Sequence, residues 1–221
     1  MTPIDAQTHP PGLRFFGRIS AAVSHDLKNV LSIINEKTGL LEDFCMMANR
    51  GAAVDLGRVD AIAGQVKAQV IRADQIIRRF NQFAHSTDHP VTVTDLGDTA
   101  ASLVALARRL LAHLELSVAV LPVDPPVTIA TRPLLVQELI WTGLEWAAAH
   151  RDETREIPVV VDATTDGATV RIGPLDGLPK DGVDEALLAA TTPLREALQA
   201  DVAVEAASGC LLIHLTALEG S

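Results

Sequence analysis

Two long runs of apolar residues, spaced by threes and fours, dominate the first 85 residues. This period places the apolar side chains on one face of an α-helix. It predicts a first helix from about Leu13 to about Asn49, with Gly51 just beyond its end. A second helix starts after Asp55, a suitable N-cap, and ends at about His85. The stripes consist of Phe16, Ile19, Val23, Leu27, Val30, Ile34, Leu41 and Phe44 in the first helix, and of Val59, Ile62, Val66, Ala73, Ile76, Phe80 and Phe83 in the second.

Both stripes are wide enough for two neighbouring helices, and Val70 and Ile77 widen the second one further. A hairpin over residues 13–85 therefore cannot bury both stripes by folding on itself. A second copy would complete a four-helix bundle. We expect a homodimer formed through this hairpin.

The composition excludes several classes of protein. The chain has 221 residues, 48% of them apolar, which is ample for a packed core. A net charge of −10 with no basic cluster argues against binding to nucleic acid or to an anionic membrane surface. The sequence has neither a signal-peptide core nor an apolar run of the roughly 18 residues that a membrane span needs. The two distant cysteines, Cys45 and Cys210, suggest neither a disulfide framework nor a zinc site, so we expect a cytoplasmic protein with a flexible N-terminus over residues 1–12.

The second half of the chain has a different pattern. Residues 86–90 have the polar, proline-containing composition of a linker, and a second domain is predicted over residues 91–221. Alternating helices and strands indicate an α/β sandwich with its helices on one sheet face, which makes the whole chain α+β. The predicted elements are a helix from Thr94 or Asp95 to about His113, a strand over 117–121, a helix over 132–150, a hairpin of strands 158–163 and 168–172, a helix over 183–200, and strands 202–206 and 210–217.

The segment Ser24-His25-Asp26-Leu27-Lys28-Asn29 carries the most chemistry. His25 lies off the apolar stripe, so the helical period places it on the solvent-facing side with Lys28, Asn29 and Ser32. A histidine on a rigid helix, with a carboxylate and an amide nearby, can accept and donate a phosphoryl group. The alternative is that His25 is a surface histidine without a role. Six other histidines occur in the chain, so a histidine by itself does not indicate a site.

This segment, with Ala21-Ala22-Val23 before it and residues 31–35 after it, resembles the H-box of sensor histidine kinases. The resemblance implies that His25 is phosphorylated and that Asp26 orients it or takes its proton. It also implies that Asn29 assists dephosphorylation of a partner, the receiver domain of a response regulator.

Two further expectations concern the same helix. Ala21, Lys28 and Ser32 are candidates for contact with the receiver. Val30 stands where many family members have a proline, so we expect a helix without a kink.

Residues 91–218 resemble the ATP-binding domain of the same family, with three departures. Thr142 and Trp146 stand where the family has two asparagines that face the nucleotide and its magnesium. The segment 173–179 offers Asp176 for the family's Asp-x-Gly-x-Gly pattern, but the second glycine is absent and the register is shortened. Residues 189–194 contain none of the glycines of the phosphate lid. A phosphate cradle needs such glycines. We therefore expect no cofactor, with magnesium supplied by the partner receiver domain.

These features predict a dimeric histidine phosphotransferase that moves phosphoryl groups between receiver aspartates through His25 without using ATP. Three alternatives stay open. The chain could be a receiver phosphatase that uses Asp26 and Asn29, a catalytically silent dimeric scaffold, or, disfavoured by the missing nucleotide motifs, an autophosphorylating kinase. Trp141 and Trp146 are expected to fill core or domain-interface space, and Phe80 and Phe83 are expected to lie in the core of the bundle.

Overall fold

The structure, a computed structural model, describes residues 12–88, 91–150, 156–179 and 182–218. The chain forms two compact units, Met1–Ile19 with Phe83–Ser221 and, separately, Ser20–Gln82. The predicted flexible N-terminus, apart from Gly12, and the last two residues of the predicted linker lie outside the described residues. An unexpected feature is that the first turns of the first helix group with the C-terminal half of the chain.

The N-terminal half is a helical hairpin, as predicted. Helix α1 spans Leu13–Asn49 and helix α2 spans Leu56–His85. Gly51, with a φ of +81°, lies in the turn that follows α1, and Asp55 Oδ1 accepts a hydrogen bond of 2.9 Å from the Gly57 amide at the start of α2. Helix α1 continues unbroken through Val30, where no proline interrupts its hydrogen bonds.

The hairpin buries only part of its apolar stripes. Val23, Val30 and Ile62 are buried, whereas several apolar side chains remain between 38% and 78% exposed: Leu31, Leu40, Met46, Met47, Leu56, Val70, Ile71 and Ile77. Within the described part of the chain, none of the helices combines the length and the apolar character that crossing a membrane requires.

The other unit contains most of the buried core. Its elements are β1 (Thr92–Asp95), α3 (Leu96–Leu106), α4 (Arg108–His113), β2 (Val118–Val120), β3 (Thr128–Thr131), α5 (Pro133–Ala149), β4 (Ile157–Ala163), β5 (Gly167–Ile172), α6 (Glu185–Leu198), β6 (Ala200–Glu205) and β7 (Cys210–Thr216). Five strands form one sheet in the order β2-β4-β5-β7-β6. Strand β2 is parallel to β4, and the other neighbours are antiparallel.

One face of this sheet is covered and the other is polar. The pairing aligns Val161 with Val170 and Val170 with Ile213, and all three side chains are buried. Helix α5 packs on this face, because a Cβ at Gly143 would lie 3.1 Å from both Ile172 and Leu211. The opposite face carries polar pairs such as Arg171 with Asp162, 2.8 Å apart.

Three aromatic side chains are buried as predicted, but Phe83 belongs to the compact unit of the C-terminal half and not to the unit Ser20–Gln82. Trp141 is 2% exposed, Trp146 is 8% exposed, and Phe83 is 2% exposed. The Phe83 ring lies 5.8 Å from that of Phe15 in an edge-to-face arrangement. Phe80 is half-buried.

Two details of the sequence prediction were wrong. The single helix predicted up to His113 is two helices, α3 and α4, divided at Ala107, which has a φ of −86° and a ψ of 3°. Strands β1 and β3 were not predicted, although they pair antiparallel in a separate two-stranded sheet. Each has four residues, too few for an alternating pattern to stand out.

Candidate functional site on the first helix

The residues predicted to form the site lie along one face of α1. Ala21, His25, Lys28 and Ser32 are spaced by four, three and four residues, which is the spacing of one helical face. Of these, Ala21, Lys28 and Ser32 are exposed and His25 is partly exposed, so all four residues have solvent-accessible surface. Asp26 is also partly exposed and lies about 100° further around the helix.

The Asn29 side chain covers one edge of the His25 ring. Asn29 Nδ2 lies 3.2 Å from His25 Nδ1, a contact that the i, i+4 spacing makes possible. An amide nitrogen can only donate, so Nδ1 is the acceptor and a neutral ring carries its proton on Nε2. The spacing was visible in the sequence, but a direct bond to Nδ1 was not expected.

The polar atom of Trp146, the residue that the sequence resemblance aligns with the family's second asparagine, is already paired. The indole Nε1 donates a hydrogen bond of 2.7 Å to Asp184 Oδ2. The ring stacks on His150 with centroids 4.0 Å apart, and His150 Nδ1 lies 2.8 Å from the Trp146 carbonyl oxygen. This position is thus occupied by an aromatic side chain held by two neighbours.

Asp184 connects this tryptophan to the start of α6. Its Oδ1 accepts a hydrogen bond of 2.7 Å from the Leu187 amide and thereby caps the helix. The Leu187 N–H, followed by the Trp146 indole N–H, holds the pKa of Asp184 below its usual value. The loop that precedes Asp184 also contacts the end of α5, because the Gly177 amide donates a hydrogen bond of 3.0 Å to the His150 carbonyl oxygen.

The other positions that the sequence resemblance relates to nucleotide binding have different surroundings. The Thr142 hydroxyl donates to the Glu138 carbonyl oxygen, one turn back in α5, over 2.9 Å. Asp176 is exposed on the loop between β5 and α6. Residues 189–194, where the family has its lid, lie within α6, with Pro193 inside the helix.

The start of α1 packs on one face of α5 and leaves a cleft of about 260 Å³ beside it. Arg18 pairs with Glu145 over 2.7 Å, and its guanidinium lies 5.2 Å from the centroid of the Trp141 ring. Glu138 accepts a hydrogen bond from the Gly12 amide, but burial outweighs this contact and raises the pKa of Glu138. Glu138 and Thr142, one turn apart, both line the cleft.

Sequence reasoning missed Asp184, His150, Arg18 and Glu145. Glu138 and Glu145 are spaced by seven residues, and Arg14 and Arg18 lie one turn apart in α1. This pattern was visible in the sequence and indicates two facing rows of charged residues. Among the described residues, no group of three or more His, Cys, Asp or Glu side chains could hold a metal ion.

No family model matches the sequence, and no curated protein matches it. Among solved structures, the ATP-binding domain of PrrB from Mycobacterium tuberculosis is 16% identical, covers 59% of this chain and 100% of its own, and has a TM-score of 0.48. The Acinetobacter baumannii histidine kinase AdeS is 10% identical, covers 88% of this chain and 98% of its own, and has a TM-score of 0.46. Full-length ShkA in complex with AMPPNP is 13% identical, covers 89% of this chain and 47% of its own, and has a TM-score of 0.47. At these TM-scores the similarity carries no argument about the role of any residue.

Proposed function

We propose that this protein is a histidine phosphotransferase that takes a phosphoryl group from a receiver aspartate onto His25 and passes it to another receiver, without using ATP. The observation that carries the proposal is the arrangement around His25. The imidazole lies on the same helical face as exposed polar side chains, and an amide one turn away contacts its Nδ1 at 3.2 Å. The resemblance of residues 24–29 to an H-box supports phosphoryl transfer as the chemistry of this arrangement.

The transfer needs few groups from this chain. The imidazole attacks the phosphorus of the acyl phosphate in line, an N–P bond forms, and the P–O bond to the aspartate breaks so that the receiver's carboxylate leaves. Asp26, next to His25, stabilises the imidazolium that develops. Magnesium belongs to the receiver domain, whose docking against Ala21, Lys28 and Ser32 would align the phosphoryl group with the ring.

Two features of the C-terminal unit support a reaction without ATP. Trp146 is paired with Asp184 and stacked on His150, so an indole stands where the resemblance calls for a magnesium-facing amide. Magnesium requires oxygen ligands in near-octahedral geometry, which an indole does not offer. The face of α5 that includes Thr142 is also partly covered by the chain's own α1, through the Arg18 to Glu145 ion pair.

The exposed apolar side chains of the hairpin support a dimer. Val70, Ile71 and Ile77 on α2 and Leu31 on α1 are each between 45% and 62% exposed in the single chain. Burying a Val or Ile side chain contributes about 1.5–3 kcal/mol, so a partner helix pair that covers them gains several kilocalories per mole. We propose that a second copy of the hairpin covers them in a four-helix bundle.

A phosphatase is the second candidate, and the exposure of Asn29 favours it. An exposed amide one turn from His25 can orient water on a phosphoaspartate of a docked receiver. Both activities can coexist on one face. A silent scaffold would instead bind the receiver and leave its phosphate unchanged.

Transfer of label from a ³²P-phosphorylated receiver domain tests the proposal. We expect label on the wild-type protein and none on His25→Ala, with Lys37→Ala on the same helix as a matched control that still accepts label. Faster loss of label from the receiver without label on this chain would favour the phosphatase. Unchanged receiver label, with complex formation detected by size-exclusion chromatography, would favour the scaffold.

A further inference from the structure

The cleft beside the start of α1 is lined by two buried polar atoms that the chain leaves unpaired. Trp141 is 2% exposed, yet its indole Nε1, which can only donate, has no hydrogen-bond partner among the described residues. Glu138 also lines the cleft, and its Oε2 atom is buried without a partner as well. Buried polar atoms in folded proteins are nearly always hydrogen-bonded, so two such atoms at one cleft are suited to a bound molecule.

The acceptors of the cleft favour a cationic group. Glu138 and Thr142 lie one turn apart in α5. The Thr142 hydroxyl already donates its proton to the Glu138 carbonyl oxygen over 2.9 Å, so toward a ligand its oxygen can only accept. Burial raises the pKa of Glu138, and an ammonium group beside Oε2 would offset the lost hydration of the carboxylate.

The donors favour a carboxylate. Arg14 lines the cleft from α1, and its guanidinium has neither a hydrogen bond nor an ion pair with any residue in the described ranges. The Trp141 indole N–H is the second donor. Arg18 and Glu145 neutralise each other over 2.7 Å, which leaves one cation and one carboxyl group, those of Arg14 and Glu138, for a ligand.

Access to the buried indole N–H requires a small movement. The Arg18 guanidinium lies 5.2 Å from the centroid of the Trp141 ring. The Arg18 side chain is 47% exposed, so it has room in solvent for another rotamer. A ligand carboxylate near Arg14 can then reach Nε1.

The size of the cleft limits the ligand to a small molecule. Its volume of about 260 Å³ lies just below the range of roughly 300–1,000 Å³ that is usual for drug-sized ligands. We propose that the cleft binds a small zwitterion of the free amino acid class. Its ammonium group contacts Glu138 and Thr142, and its carboxylate contacts Arg14 and the Trp141 indole. This proposal does not depend on phosphoryl transfer, because none of these four residues belongs to the predicted site at His25.

Titration of the ¹⁵N-labelled full-length protein with L-alanine and with L-glutamine tests the proposal. The chain has two tryptophans, so its spectrum contains two indole N–H signals, and Trp146→Phe identifies the one from Trp141. We expect at least one probe to shift the Trp141 signal to saturation. The analogues of that probe without the ammonium or without the carboxylate, propionate and ethylamine in the case of alanine, should each bind at least about tenfold more weakly.

Variants assign the two ends of the ligand. Arg14→Ala should weaken binding roughly 10- to 100-fold, because a charge-assisted hydrogen bond is lost. Glu138→Gln should remove the preference for the amino acid over its analogue without the ammonium. Arg79→Ala, at an exposed arginine of α2, is the matched control and should bind as wild type.

A Trp141 signal that neither probe shifts to saturation would overturn the proposal. Equal binding of the amino acid and its analogue without the ammonium by the wild-type protein would also overturn it, since the site would then recognise a carboxylate alone. Unchanged affinity in folded Arg14→Ala would place the ligand elsewhere and reject the site.

Discussion

Replacing Asp184 tests how much its contacts with Trp146 and with the start of α6 stabilise the C-terminal unit. Asp184→Ala removes the α6 cap, which is worth about 1 kcal/mol, and leaves the indole N–H of a tryptophan that is 8% exposed without its acceptor. An unsatisfied buried donor costs about 1–3 kcal/mol. The expected loss is therefore about 2–4 kcal/mol, or roughly 4–16 °C in melting temperature for a chain of this size.

Thermal unfolding followed by near-ultraviolet circular dichroism measures this loss. Asp184→Asn keeps one acceptor oxygen and should lose about half as much. In a Trp146→Phe background, which has no indole N–H, Asp184→Ala should cost only the cap, about 1 kcal/mol. Asp176→Ala, at an exposed aspartate of the preceding loop, serves as control and should leave the melting temperature unchanged.

Because the native contacts lower the pKa of Asp184, its contribution to stability is present above the ordinary aspartate pKa of about 3.9 and is lost as the pH falls through the lower native value. The penalty of Asp184→Ala should therefore shrink in acid. An equal penalty in the wild-type and Trp146→Phe backgrounds would refute the pairing of Asp184 with the indole.

Three further predictions concern charge, assembly and nucleotide binding. Burial raises the pKa of Glu138, so the stability linked to its protonation is lost as the pH rises; Glu138→Gln should melt higher than wild type at pH 8 and equally at pH 4, and a lower melting temperature at pH 8 would contradict this. Sedimentation equilibrium should show a wild-type dimer that Val70→Glu with Ile77→Glu weakens at least about 100-fold, while Lys67→Glu on the same helix leaves it intact; a wild-type monomer at micromolar concentration would exclude the bundle. Calorimetry should detect no binding of ATP with magnesium at millimolar concentration. Micromolar affinity would show that the C-terminal unit has a nucleotide site despite the paired Trp146.

The helical hairpin could be predicted from sequence because its signal is long and local. A stripe that repeats over ten turns leaves little choice of structure, and Gly51 and Asp55 mark the ends of the two helices. Strands β1 and β3 could not be predicted, because each is short and becomes a strand only through its partner 30 or more residues away.

The site was predictable in its residue types and not in its contacts. The period of α1 places Lys28, Asn29 and His25 on one face, but the torsion angles that bring the Asn29 amide to Nδ1 are not encoded in spacing alone. The pairing of Trp146 with Asp184 joins residues 38 positions apart, and such a contact depends on the tertiary fold. The local sign of it in the sequence was a tryptophan where the resemblance calls for an asparagine.

The central claim is that His25 holds a phosphoryl group in transit between two receivers, and a chase experiment tests it most directly. The protein is labelled by a ³²P-phosphorylated receiver, separated from it, and mixed with a second, unlabelled receiver in the absence of ATP. We predict that label leaves His25 and appears as acyl phosphate on the second receiver, and that no label travels when the first step is attempted with His25→Ala. Label that reaches the second receiver through His25→Ala, or that passes from wild-type protein only to inorganic phosphate, would contradict the claim.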